Sequence, residues 1–182
     1  MKYIRARRTN CKNCYKCIKN CLVKSISYND DRVDIIDEGC ILCGRCINVC
    51  PRGAKKPYND YEPIRKLIAD KNTTVCVSLS SDFIAAYSDN AFKLTSALKR
   101  LGFDYVEESS IGGACVTEEY RRLILSSKGK TIISSACPTI NLYIKKYYPE
   151  LVPCLAPIMT PLEVHGKLLK AKYGADTKVI YI

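Results

Sequence analysis

From Thr73 to the last residue, apolar runs of strand length alternate with longer amphipathic stretches. Thr73-Thr74-Val75-Cys76-Val77-Ser78-Leu79 reads as a buried strand, and Asp89 is placed to cap a helix over Ala91 to Leu101 that stops at Gly102 with Lys99 and Arg100 in its last turn. Phe103 to Val106 reads as a short strand, Val116 to Ser127 as a helix ended by Lys128-Gly129, and Lys130 to Ser134 as a strand rich in β-branched residues. A helix follows over Pro138 to Tyr147. Another opens on Thr160-Pro161-Leu162-Glu163, a capping box with proline at the first helical position, and ends at Lys172-Tyr173-Gly174. Lys178 to Ile182 is a final strand. This alternation predicts a partial α/β domain with a parallel sheet over residues 72–182. Residues 1–56 carry only short apolar pieces, of which Ile26-Ser27-Tyr28 and Val33-Asp34-Ile35-Ile36 flank Asn29-Asp30-Asp31 and read as a hairpin. A turn-rich stretch, Lys56-Pro57-Tyr58-Asn59-Asp60-Tyr61-Glu62-Pro63, opens a linker over 57–71.

Composition changes this picture through one residue type. The chain has 182 residues, 47% of them apolar and 26% charged, which suits globular domains, but it carries 12 cysteines against one histidine and no tryptophan. No run of 18 apolar residues occurs, and Met1-Lys2-Tyr3-Ile4-Arg5 lacks the apolar stretch of a signal peptide. A cytoplasmic location with reduced thiols is therefore expected, with no membrane partner, and metal binding becomes the first reading of clustered cysteines.

Eight cysteines form two copies of C-x2-C-x2-C-x3-C: Cys11, Cys14, Cys17, Cys21 and Cys40, Cys43, Cys46, Cys50. Zinc sites typically draw two ligands from each of two separated knuckles, whereas three thiols within seven residues suit three corners of a cuboidal cluster. Zinc stays the minor alternative and disulfides a lesser one. The spacing resembles that of a bacterial ferredoxin, where the fourth cysteine of each run ligates the other cluster. That rule assigns Cys11, Cys14, Cys17 and Cys50 to one 4Fe-4S cluster, and Cys40, Cys43, Cys46 and Cys21 to a second. Pro51 follows Cys50 as the pattern asks; Leu22 stands at the matching place in the first run. The expected architecture is thus an α+β ferredoxin-like two-cluster domain over 1–56, ahead of the α/β segment.

Charge is concentrated in the same segment. Of the net +11, residues 1–56 hold 13 Lys/Arg against 5 Asp/Glu, a net +8. Such a face could steer an acidic electron partner, or it could simply offset the negative charge of the clusters. Nucleic acid is disfavoured as a partner, since the basic residues are scattered among cysteine loops with no recognised binding motif.

Four cysteines remain. Cys137 follows the expected strand at 131–134 and precedes Pro138, which sets its sulfur at a helix N-terminus, where a thiolate could ligate metal or act as nucleophile. A small buried hydrophobe is the alternative there. That structural reading is preferred for Cys76 mid-strand, Cys115 in a Gly-rich turn and Cys154 between prolines. His165 beside Gly166 reads as a surface or packing residue.

Taken in order, the paired cysteine runs, Ser134-Ser135-Ala136-Cys137-Pro138, Tyr147-Tyr148-Pro149-Glu150-Leu151 and Pro157-Ile158-Met159-Thr160-Pro161 resemble an iron-only (FeFe) hydrogenase large subunit, of the divergent forms thought to be sensory. The resemblance implies an accessory ferredoxin domain followed by the first part of the catalytic domain. It makes Cys137 the first of four cysteines that hold the catalytic H-cluster. Ala136 stands where hydrogen-evolving members have a proton-relaying cysteine, and Ala156 where they have a serine. Glu119 matches one acidic relay position and Arg122 replaces the other. No cysteine follows Cys154, so the H-cluster is expected only if further chain completes it.

Three functions are compatible with these readings. The first is electron transfer through two 4Fe-4S clusters with a redox partner protein. The second is a fragment or split subunit of a hydrogenase, completed by a companion chain. The third is a cluster-containing regulatory or interaction module whose apolar edge at Lys178 to Ile182 pairs with a partner.

Overall fold

The computed structural model describes residues 3–29, 32–58 and 61–182, without the side chains of Arg8 and Arg32. In chain order the elements are β1 (Ile4–Ala6), α1 (Lys16–Asn20), β2 (Ile26–Asn29), β3 (Arg32–Ile35), α2 (Arg45–Asn48), β4 (Lys55–Pro57), α3 (Tyr61–Ala69) and β5 (Val75–Leu79). They continue with α4 (Phe83–Tyr87), α5 (Ala91–Leu101), β6 (Tyr105–Glu108), α6 (Ser110–Ser126), α7 (Pro138–Tyr147), α8 (Pro161–Tyr173) and β7 (Lys178–Tyr181). Two compact units result, one from residues 1–59 with 137–153, the other from 60–136 with 154–182.

In the first unit, β2 and β3 pair antiparallel with Ile26 opposite Ile35 and Tyr28 opposite Val33. This is the hairpin expected from the alternation; Asp30 and Asp31 of its turn, like Asn59 and Asp60 of the linker, lie outside the described residues. β1 and β4 form a second antiparallel pair, Ile4 opposite Pro57. The core is small and partly thiol: Cys17, Ile26 and Val33 are buried, with Cys11, Ile18, Cys21 and Cys46 packed against them.

The second unit is built on a three-stranded parallel sheet in the order β6-β5-β7. Every residue of β5 is at most 3% exposed, as a central parallel strand covered on both faces requires. Its Val75, Val77 and Leu79 join Leu98 and Phe103 in the core. Residues 178–181 form a strand as expected.

Four expectations are corrected. Asp89 does not cap α5: it lies in a 3-10 turn, Ser88–Asn90, and the cap residue Asn90 accepts at Oδ1 from Lys93 Nζ at 2.9 Å, with no side-chain bond to the helix amides. The strand expected at 103–106 starts at Tyr105, because Asp104 engages Val75 both through its own N–H and by accepting the Val75 N–H at Oδ2, 2.7 Å. α6 begins at Ser110, well before Val116, so Cys115 sits exposed in a helix and not in a turn. Residues 130–134 form no strand, only a parallel bridge between Ile133 and Leu155. Beyond that bridge the backbone N–H of Ser135 is taken by the Tyr120 hydroxyl at 2.9 Å, which ends any ladder.

The α8 start matches its sequence signature atom for atom. Thr160 Oγ1 accepts from the Glu163 N–H at 3.3 Å, and the Thr160 N–H donates to Glu163 Oε2 at 2.8 Å. That N–H and the Thr160 hydroxyl, which donates to the same Oε2 at 2.9 Å, hold the Glu163 carboxyl below its usual pKa. Thr160→Ala is expected to cost about 1 kcal/mol, a typical loss for an N-cap, read as a lower midpoint in urea denaturation at unchanged slope.

Candidate functional site

The two cysteine runs repeat at an offset of 29 residues, and their backbones repeat with them. Left-handed conformations fall at Asn13 and Leu42, at Tyr15 and Gly44, and at Lys24 and Gly53, each pair at that offset. Four of these six residues carry a side chain, and a non-glycine residue held there costs of order 1–2 kcal/mol. Strain of this kind gathers at ligand clamps, and alternating left- and right-handed residues turn successive N–H groups toward one anion-binding hollow.

Three such amides meet sulfur. The Ala54 N–H donates to Cys50 Sγ at 3.2 Å and the Ser25 N–H to Cys21 Sγ at 3.3 Å, again equivalent positions, while Leu42 N–H donates to Cys40 Sγ at 3.4 Å. The thiols line two separate cavities. Cys11, Cys14, Cys17 and Cys50 surround one, with about 360 Å3 of free space including its open mouth; Cys21, Cys40, Cys43 and Cys46 surround the other, with about 340 Å3. In each, the fourth cysteine comes from the other run. Among the described residues no three His, Cys, Asp or Glu side chains close on a point suited to one metal ion. Four soft thiol donors spread around a hollow, with inward amides, fit a polynuclear iron–sulfur group.

The protonation of these thiols differs with depth. Burial pushes Cys46 up to about 11, helped by Cys40 and opposed by the Lys55 charge. Cys17 is likewise raised by burial against Lys55. Burial raises Cys50 as well, but the amides of Ala54, Arg52 and Lys55 outweigh it and the thiol ends below its ordinary value. A metal held by Cys17 and Cys46 would therefore have to displace protons that these thiols keep at neutral pH.

Helix α7 belongs to this unit. Lys146 Nζ donates to the carbonyls of Asp37 at 3.1 Å and Cys40 at 2.7 Å, and the Tyr147 hydroxyl donates to the Gly39 carbonyl at 2.8 Å. The C-terminal end of α7 thus holds the loop that carries Cys40. Cys137 is exposed at the other end of the same helix, as its N-cap, roughly 15 Å along an axis of this length. It is not brought into either four-cysteine cavity.

In the second unit, Cys76 is fully buried mid-strand, where desolvation drives its thiol to about 11, so it is an inert packing residue. His165 is 1% exposed, with Nδ1 2.7 Å from Ser78 Oγ, which makes it a packing residue and excludes the surface option; burial lowers its pKa. Ala156 is buried, and Glu119 is an exposed carboxylate paired to Arg122 at 2.9 Å. Sequence reasoning missed Tyr120. Its hydroxyl, hydrogen-bonded by Ser134 Oγ at 3.0 Å and the Ser135 N–H, titrates below its ordinary value although burial opposes this, and it fixes the 134–136 loop; no motif signals it.

Comparison with known proteins gives this arrangement a family. The family model of the iron only hydrogenase large subunit, C-terminal domain, matches residues 65–182, and that of the 4Fe-4S dicluster domain matches residues 10–54. The chain belongs to the iron-only hydrogenase large-subunit family and carries a 4Fe-4S domain. Among curated relatives it is 23% identical over 161 residues to the NADP-reducing hydrogenase subunit HndD of Solidesulfovibrio fructosivorans, covering 78% of this chain and 28% of HndD. It is 31% identical over 149 residues to the cytosolic Fe-S cluster assembly factor NAR1 of Yarrowia lipolytica, covering 77% of this chain and 30% of that protein. The chain therefore spans under a third of the length of these relatives. A solved [FeFe]-hydrogenase structure, from work on oxygen inactivation of the H-cluster, aligns over 68% of this chain and 38% of its own with a TM-score of 0.54 at 20% identity. That likeness supports the parallel-sheet fold. No helix among the described residues is long and apolar enough to cross a membrane.

Proposed function

We propose that this chain is an iron–sulfur electron-transfer protein that binds two 4Fe-4S clusters in a ferredoxin-like domain, one through Cys11, Cys14, Cys17 and Cys50 and the other through Cys40, Cys43, Cys46 and Cys21. The carrying observation is the partition of eight thiols into two four-cysteine cavities, each completed by the other run. When bound, each cluster supplies a one-electron couple.

The protein's own residues do the rest. The amides at Cys50, Cys21 and Cys40 stabilise thiolate charge, and Ile4, Ile26, Ile35 and Ile41 wall the second cavity against water. Cys14 and Cys43 are the most open ligands and offer the edge through which electrons pass. Lys12, Lys16 and Arg52 line the first cavity with Cys14, a basic rim suited to an acidic redox partner. A cytosolic setting suits these reduced thiols and the family relatives.

After reduction with dithionite and desalting, the iron-loaded chain is expected to deliver about two electrons to ferricyanide, one per cluster, with its absorbance near 400 nm bleached and then restored. The rate should fall as ionic strength rises, because the acceptor is an anion. An iron-loaded chain whose absorbance does not change on reduction would overturn the electron-transfer role.

A second reading, that the chain works as part of a hydrogenase completed by a companion chain, is favoured by one observation: α7 joins the Cys40 loop at one end to Cys137 at the other. In that setting Cys137 would supply one H-cluster ligand. Ala136, Ala156 and the paired Arg122 leave this chain without three of the proton carriers that hydrogen-evolving members use, so hydrogen turnover by the chain alone is not expected. A third reading, a regulatory or interaction module, draws on the likeness to NAR1 and on β7, which lies at one edge of the sheet.

A further inference from the structure

One buried position of the cysteine repeat carries a charged side chain in one copy and an apolar one in the other. Displaced by 29 residues, Ile26 corresponds to Lys55, just as Ser25 corresponds to Ala54 and Cys21 to Cys50. Ile26 is 8% exposed and lines the second cavity; Lys55 is 2% exposed and lines the first. An isoleucine already fills the equivalent place, so packing alone does not call for a lysine. Lysine is almost never buried without a partner. Here Nζ donates to the Val33 carbonyl at 2.6 Å, and among the described residues it forms no ion pair with a carboxylate. A buried ammonium needs a counter-charge, and one cavity it lines is built from four thiols that become anionic on ligation.

Its ammonium lies beside both sets of thiols. Val33, whose carbonyl it binds, belongs to one packed cluster with Cys11 and Cys17, which line the first cavity, and with Cys21 and Cys46, which line the second. A fixed cation stabilises the reduced, more negative state of a nearby cluster over the oxidised one, and so raises its reduction potential. The basic rim at Lys12, Lys16 and Arg52 is in contact with solvent and screened; Lys55 is not.

We propose that Lys55 is an internal cation shared by the two cluster sites, which raises the reduction potential of both and acts more strongly on the one held by Cys11, Cys14, Cys17 and Cys50. This is a positioning role for charge, and it rests on the two-cluster reading above. Lys55→Met removes the charge and keeps an unbranched chain, Lys55→Gln removes the charge and keeps a donor for the Val33 carbonyl, and Lys55→Arg keeps the charge.

Iron and acid-labile sulfide are counted first in the wild-type chain and in each variant, and the potentials are then read by EPR-monitored redox titration. Absence of 4Fe-4S clusters from the wild-type chain would remove the two-cluster reading and this proposal with it, before any titration is run. With clusters present, Lys55→Met and Lys55→Gln are expected to lower the reduced-to-oxidised ratio of the first cluster at fixed potential about tenfold, equal to about 59 mV for a one-electron couple, with a smaller shift of the same sign at the second. Lys55→Arg should stay within about threefold of wild type. Both neutral variants titrating like wild type would overturn the proposal, as would an Arg variant that shifts as far as Gln. Loss of iron from both neutral variants but not from Arg would also overturn it, by making the cation a requirement for assembly instead of a determinant of potential.

Discussion

Cys14→Ala and Cys21→Ala are each expected to lose about four of the eight irons, and the double variant to lose all of them. Adjacency in sequence argues the opposite. Cys14 and Cys21 lie in one run and would share a site if each run closed on its own cluster, in which case the double variant would keep half its iron. The lining of the cavities supports the crossed arrangement: Cys14 lines one with Cys50, and Cys21 lines the other with Cys40, Cys43 and Cys46. The complementary pair, Cys14→Ala with Cys50→Ala, should therefore lose no more iron than either single variant. Iron and sulfide per chain after anaerobic reconstitution read the result. Alanine is preferable to serine because a serine oxygen can still ligate iron. Retention of half the iron in the Cys14/Cys21 double variant would contradict the crossed assignment.

The second large effect is expected at a glycine pair in α6. A Cβ on Gly112 would run into the Pro161 carbonyl and lie 2.8 Å from His165 Cβ and 2.9 Å from the His165 amide, so α6 and α8 cross there at a distance only glycine permits. The obstacles are largely backbone and cannot rotate away. Gly112→Ala must push the helices apart at a point where His165 and Leu169 are each 1% exposed, and a loss of about 1–3 kcal/mol, the usual cost of overpacking, is expected. At Gly113, one residue on, a Cβ would meet nothing within 4 Å, so Gly113→Ala should instead gain roughly 0.5–1 kcal/mol from helix propensity. Urea denaturation of the two variants, followed by far-UV circular dichroism, should move the midpoint in opposite directions. A shared direction would show that α6 and α8 do not pack as closely as described.

These two experiments fall on features of different legibility. The cysteine runs are readable because ligand spacing is dictated by cluster size, and residue type there is chemistry. The central strand is readable because β5 is covered on both faces and every residue in it is accordingly unexposed. The start of α6 is not, because Gly112-Gly113 suggests a turn, and only the approach of α8 explains why glycine is needed inside a helix. Lys130 to Ser134 has strand composition, but a tyrosine hydroxyl from α6 captures the following backbone, a contact with no local signal. In the first unit the left-handed residues Asn13, Tyr15, Lys24 and Leu42 give no warning, since none is glycine and only the folded loop imposes the conformation. Lys55 reads as one more solvated charge for the same reason: a lysine is taken as exposed until the fold encloses it. The contacts of α7 with the Cys40 loop join residues more than 100 positions apart, and no pattern in the sequence links them.

The central claim is that one chain holds two 4Fe-4S clusters in two crossed four-cysteine cavities. The most direct measurement is iron and acid-labile sulfide per chain after anaerobic reconstitution, taken together with EPR of the dithionite-reduced sample. About eight irons and eight sulfides, with a reduced spectrum broadened by interaction between two neighbouring paramagnets, is the predicted result. Tightly bound zinc in a colourless protein, or four irons with the narrow spectrum of a single isolated cluster, would contradict it.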